Sequence, residues 1–234
     1  MPFQAIETQR LYQQVSEQIG ALIRRGEFAP GDRLPPERDL ARSLGVSRPV
    51  VREAMVALEI AGLVEVRTGS GIYVRVPARA GEAPPLSDAG PSPFDLIRAR
   101  RMIEGEIAFS AAETATPDDL DTIAETMAMI EQALAEGRDT LPADRLFHIR
   151  IAAATGNPVL VSVIEGLWAN MMAAPVFRTL RRRTGLTDYE PSMLADHARI
   201  VEALRRRDPA AARDAMHRHL AQVEQVMLCG EGGG

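Results

Sequence analysis

Apolar residues at Leu11, Val15, Ile19 and Leu22/Ile23 recur at three- and four-residue spacing, which predicts a helix with one buried stripe ending near Gly26. A turn segment, FAPGDRLPP, follows, and Pro36 suits the first position of a short helix over about 36–43 that Gly45 stops. Ser47 then stands where a cap belongs, ahead of a third helix over about 48–61 with Gly62 at its end. In LVEVRTGSGIYVRV the apolar period drops to two on both sides of Gly69-Ser70-Gly71, the pattern of a β-hairpin. Three helices and a hairpin within about 70 residues describe a winged helix-turn-helix. Beyond residue 93 only helical periods remain. Thr116-Pro117-Asp118, Gly156-Asn157-Pro158 and Asp208-Pro209 punctuate them into about six helices: 93–115, 117–135, 141–155, 158–182, 189–206 and 209–228.

The stretch PARAGEAPPLSDAGPSP at 77–93 is rich in Pro, Gly and Ala and reads as a linker. The expected organisation is therefore mostly α: a DNA-binding winged helix-turn-helix over 1–76, the linker over 77–93, and an all-α helical bundle over 94–229. The run Gly230–Gly234 is expected to fray.

Composition refines this picture in three places. Of 234 residues 46% are hydrophobic and 25% charged, ordinary for a globular protein and unlike a disordered one. No apolar run reaches the length of a membrane span, the N-terminus lacks the pattern of a signal peptide, and the single Cys229 has no internal partner. A cytoplasmic protein is the expectation, with no membrane partner. Net charge is −5, yet residues 1–76 carry net +1 and the remainder net −6, so the acidity belongs to the second part. Every one of the 27 basic residues is arginine.

In a helix-turn-helix the second helix enters the major groove by its N-terminal residues. Here those are Ser47, Arg48 and, one turn on, Arg52, and arginine forks match the acceptors of guanine. Arg38 on the preceding helix can reach the same groove, and Gly69 at the wing tip lets backbone approach DNA closely. The run PGDRLPPERDLARSLGVSRPVVREAMVALEIAGLVEVRTGSGIYV resembles the DNA-binding domain of the GntR family of bacterial transcription regulators. That resemblance assigns DNA contacts to Arg38, Ser47, Arg48, Arg52 and Gly69. Pro49 and Val50 stand where some relatives carry hydroxyl residues.

The second part holds all four histidines. Asp144 and His148 lie one helical turn apart; His197 falls on the inward stripe of its helix; His219 flanks the stripe Ala212, Met216, Leu220 and Val223, from which His217 points away. An inward histidine is by itself more often a hydrogen-bonded core residue than a ligand. DLIRARRMIEGEIA, the Asp144–His148 segment, Asp196-His197 and His219 resemble the FCD domain, the helical effector domain of the FadR subfamily. That resemblance makes Asp144, His148, His197 and His219 ligands of a divalent metal ion such as Zn, Ni or Mn. Arg100 interrupts an apolar stripe, so its guanidinium needs an anion: Glu104 one turn on, or the carboxylate of an effector. The resemblance favours the effector. The similarity is greatest to hexuronate-utilisation repressors, which implies a homodimer on a palindromic operator, relieved by a hexuronate or derived keto acid. Smaller acids such as lactate, glycolate or a dicarboxylate are the alternatives. A metal-dependent hydrolase or oxygenase on the same three-His, one-Asp set is the competing class; no general base is placed near the set, and catalysis leaves the N-terminal part unexplained. A metal that only staples helices is a third reading. The expectation is a regulator and not an enzyme.

Overall fold

The structure is a computed structural model that describes residues 10–67, 69–75, 91–183 and 191–229. It divides into two compact units, Met1–Gly90 and Pro91–Gly234. Most of the expected linker, and the glycine run, lie outside the described residues.

The first unit contains α1 (Leu11–Arg24), α2 (Glu37–Leu44), α3 (Arg48–Ile60), β1 (Val64–Arg67) and β2 (Gly71–Val74). Val15, Ile19 and Ile23 of α1 pack on Val51, Ala54, Met55 and Leu58 of α3, and Val64, Ile72 and Val74 of the hairpin close the same core. Leu11 is the exception to the expected stripe: at 56% exposure it lies on the solvent side of the first turn. The tight α2–α3 turn requires Gly45, whose φ of 68° is left-handed and whose N–H closes α2 on the Ala41 carbonyl. Ser47 is the residue preceding α3, as expected, but its hydroxyl makes no capping bond. The hairpin is antiparallel with Val64 opposite Val74 and Arg67 opposite Gly71. Arg33 adds an isolated bridge to Tyr73, a short third edge that the turn-like sequence did not announce.

The second unit comprises α4 (Pro93–Thr114), α5 (Pro117–Ala135), α6 (Leu141–Ala153), α7 (Pro158–Ala173), α8 (Pro175–Arg183), α9 (Pro191–Arg205) and α10 (Pro209–Cys229). Five of their starts are chemically explicit. Ser92 accepts from the Asp95 N–H, Thr116 and Asp119 form a reciprocal capping box, Asp139 accepts from the Leu141 N–H, Asn157 from the Val159 N–H, and Asp208 from the Ala211 N–H. The expected helix 158–182 is two helices. Ala174 is extended and Pro175 follows, so α8 leaves α7 at 77°. The centre of the unit is the antiparallel pair α4 and α10. Arg98 and Arg101 both reach Glu224, and at Gly105 the imidazole of His217 occupies the space a Cβ would need. Ile107, Ala108, Ala111, Phe147, Ile151, Trp168, Ile200, Leu204, Met216 and Leu220 form the core, with the candidate site at its edge. No single described helix is long and apolar enough to cross a membrane.

Candidate metal and effector site

The two apolar stripes of α6 and α10, and that of α9, turn Asp144, His148, His197 and His219 to one point. Their donor atoms all lie within 4.8 Å of one another. His197 Nε2 is 3.2 Å from His219 Nε2, Asp144 Oδ1 is 3.3 Å from His197 Nε2 and 3.7 Å from His148 Nε2. The three histidines are buried, whereas Asp144 keeps a partly open edge. His217, as its position on α10 predicts, is elsewhere, against Gly105.

These separations suit a shared ion. With metal–ligand bonds of about 2.05 Å, two donors on one ion stand about 2.9 Å apart at a right angle and about 3.4 Å apart at the tetrahedral angle. The ionisation states suit it too. Burial drives the pKa of His197 down to about 3 and that of His219 well below the ordinary imidazole value, so both rings are neutral and keep a lone pair. Burial pushes Asp144 up, but His148 above all outweighs it and holds the carboxylate well below its ordinary range. His148 differs. Burial lowers it, yet Glu104 and Asp144 prevail and raise it, so this ring holds a second proton most readily and an ion must displace that proton.

Behind the donors stands a second row that the sequence showed only in part. Glu104 on α4 is 2% exposed. Its Oε1 accepts from Arg100 Nε at 2.6 Å, and its Oε2 lies 2.5 Å from His148 Nδ1, close but off the hydrogen-bond line. A carboxylate on Nδ1 fixes the tautomer that leaves Nε2 facing the other donors. Burial raises the Glu104 pKa, while Arg100 and His148 outweigh burial and bring it to about 2. Arg100 thus has the helical partner the spacing allowed, and it also stacks over the Trp168 ring at 4.1 Å. One guanidinium nitrogen, Nη2, is left buried and without a hydrogen-bond partner.

Such orphaned atoms concentrate here. Among the described residues, Tyr12 aside, every buried side-chain polar atom lacking a hydrogen-bond partner belongs to Arg100, Glu104, His148, Trp168, Arg181 or His219. Buried polar groups are otherwise almost always satisfied, so this is where a bound water, ion or ligand would find partners. Arg100, Asp144, Trp168, Arg181 and His219 line one cavity. Its volume of about 30 Å³ admits an ion and a water or two. Arg181, which its arginine-rich surroundings suggest to be a solvated helix end, is instead 14% exposed and paired with Asp139.

In the first unit, Ser47 and Arg48 are exposed at the start of α3 and Gly69 sits at the hairpin tip with φ of 71°. Arg38 is exposed, 3.5 Å from Asp39. Arg52 is half-buried and doubly bonded to Glu37 of α2, Nε to Oε1 at 3.0 Å and Nη2 to Oε2 at 2.8 Å. The fork is therefore held on the α2 side, a restraint not visible from the spacing of Arg48 and Arg52.

Residues 11–74 match the bacterial regulatory proteins of the gntR family, and residues 95–222 match the FCD domain. The chain belongs to the GntR family. This GntR regulator is 39% identical over 231 residues to the Uxu operon transcriptional regulator of Escherichia coli K12, covering 96% of the chain and 89% of the relative. It is also 39% identical over 230 residues to the Exu regulon transcriptional regulator of the same strain, covering 96% and 87%. Among solved structures it is similar to E. coli McbR/YncC, with a TM-score of 0.52 at 24% identity over 94% of this chain and 98% of that one, a likeness of fold. It is a DNA-binding transcription regulator, not an enzyme, and the hydrolase or oxygenase alternative falls with that assignment.

Proposed function

We propose that this GntR regulator is a repressor whose operator binding is controlled by an organic acid of the hexuronate class, bound beside a divalent metal ion. The observation that carries the metal is the spacing of the Asp144, His148, His197 and His219 donors, 3.2–3.7 Å between neighbours, in a setting that keeps two rings neutral. Such N/O ligation suits Zn, Ni or Mn. The ion would supply a positive centre for a ligand oxygen; Arg100 would meet the carboxylate through its unpartnered nitrogen. The likeness to the Uxu and Exu regulators supports hexuronates over lactate, glycolate or a dicarboxylate.

The control step follows from volume. A sugar acid needs more room than the present cavity of about 30 Å³, so it would favour a state in which the side chains lining that cavity have moved apart. A ligand with that preference shifts the population of domain states. In a cytoplasmic homodimer this would alter how two winged helices address a palindrome, with Arg38, Ser47, Arg48, Arg52 and Gly69 at the DNA. The test is metal analysis of purified protein, then calorimetry and DNA-shift assays with glucuronate, galacturonate, fructuronate, lactate and a neutral hexose. The expected result is one ion per chain and release of DNA by a hexuronate alone; tight binding of the neutral hexose would overturn the organic-acid reading.

A further inference from the structure

Arg181 has no role in the site as assembled so far, yet it lines the same cavity from another helix. It sits on α8, whereas Arg100 sits on α4. The two arginines are built alike. Each gives part of its fork to a carboxylate, Arg100 to Glu104 and Arg181 to Asp139, and that carboxylate fixes how the guanidinium lies. Each keeps one buried nitrogen without a partner, Nη2 in Arg100 and Nε in Arg181. Trp168 Nε1 is a third such atom on the same cavity. All three are donors only, so they can be satisfied together by a molecule rich in acceptor oxygens.

We propose that Arg181 is a specificity-determining residue of the effector site, donating to the distal oxygens of an acid whose carboxylate is held on the Arg100 side. The inference rests on the effector reading above. The charges narrow the ligand further. Glu104 and Asp139 neutralise the two arginines, and Asp144 offsets half of a divalent ion, which leaves a balance of one positive charge. A monoanion with hydroxyl or carbonyl oxygens along its length matches this; a dicarboxylate overcharges it. A two-carbon acid has only three oxygens to share among the ion, Arg100, Trp168 and Arg181, whereas a hexuronate has seven.

The experiment is calorimetry on the metal-loaded full chain with D-glucuronate and with glycolate, comparing wild type, Arg181→Met and Arg181→Lys. Loss of a charged hydrogen bond should weaken glucuronate about tenfold or more in both variants. Glycolate affinity should stay within about twofold and the metal content of the acid-free protein should hold, with its melting temperature lowered at most by the loss of the Arg181–Asp139 pair, whose carboxylate is 53% exposed. Asp139→Asn, which leaves Nε in place, should cost glucuronate much less than Arg181→Met. Equal losses for both acids, or undiminished glucuronate binding in a variant that keeps its melting temperature, would overturn the role of Arg181. Should Arg181→Met unfold, Arg181→Lys gives the same two-acid comparison. A wild type that binds neither acid defeats the effector reading first and this inference with it.

Discussion

Replacing Glu104 with glutamine tests the arrangement at its most stressed point. The carboxylate is buried between Arg100 Nε at 2.6 Å and His148 Nδ1 at 2.5 Å, with no water-exposed edge to relax into. Glutamine keeps the shape and can still accept from one of them, but it removes the charge that compensates a 3%-exposed guanidinium. Breaking a buried pair from one side costs about 3–5 kcal/mol in general. The Trp168 face below Arg100 offsets part of that, so a loss near the lower figure is expected in chelator-treated protein, read as a shift in urea midpoint at unchanged slope. A second effect is separate. With the anion gone from Nδ1, the His148 ring loses its fixed tautomer, and metal affinity should fall about 10–100-fold, measured by competition with a chromophoric chelator. Glu104→Leu combined with Arg100→Leu should recover much of the stability, since an apolar pair of similar volume is tolerated where a lone charge is not, yet should not recover the metal affinity. Stability within about 1 kcal/mol of wild type in Glu104→Gln, together with unchanged metal affinity, would refute the reasoning on both counts.

Five further outcomes are expected. Arg48→Ala should cost about 1–3 kcal/mol on operator DNA and much less on scrambled DNA, by fluorescence anisotropy; equal losses would make it a phosphate contact. A chelator should lower the melting temperature by removing about 2.7 kcal/mol when the ion stands at 100 times its Kd; His197→Ala should abolish that effect and His217→Ala should leave it intact. Gly105→Ala should destabilise by about 1–3 kcal/mol in thermal melts, because the His217 ring fills the place of the new methyl, and His217→Ala in the same chain should restore it. Thr116→Ala should cost about 1 kcal/mol at pH 7. Asp119, whose pKa is lowered by the Thr116 N–H and hydroxyl, contributes stability that is full above its unfolded pKa near 3.8 and is lost as pH falls through the lower folded value. The difference between wild type and Asp119→Asn in urea melts should therefore shrink below about pH 4.

The particular residues show what a linear reading can reach. The winged helix-turn-helix was legible because its signals are local: Gly45, the period change at Leu63, and the glycines of the wing. His219 could be told from His217 because one flanks the apolar stripe of its helix and the other does not. Glu104 was visible only as the neighbour of Arg100, one turn away; its approach to His148 spans two helices and leaves no mark in spacing. Arg181 was hidden by its company, since RTLRRR looks like a wet helix end until α8 turns back over the cavity. Pro175 was the available signal for that turn, set in an apolar run whose hydropathy carried straight through it. Leu11 shows the reverse error, an apolar residue in phase with a stripe but beyond the edge of the core.

The four donors emerge from the ribosome far apart in time. Asp144 and His148 come out almost together, His197 about fifty residues later, and His219 lies 75 residues after Asp144. At about 5–20 residues per second the first and last are separated by about 4–15 seconds. Until α10 has been made and has docked along α4, the nascent domain lacks His219 and can offer an ion at most the other three donors. On the proposed metal reading the last donor arrives with the last helix, so the ion would seal a bundle already laid down rather than template it.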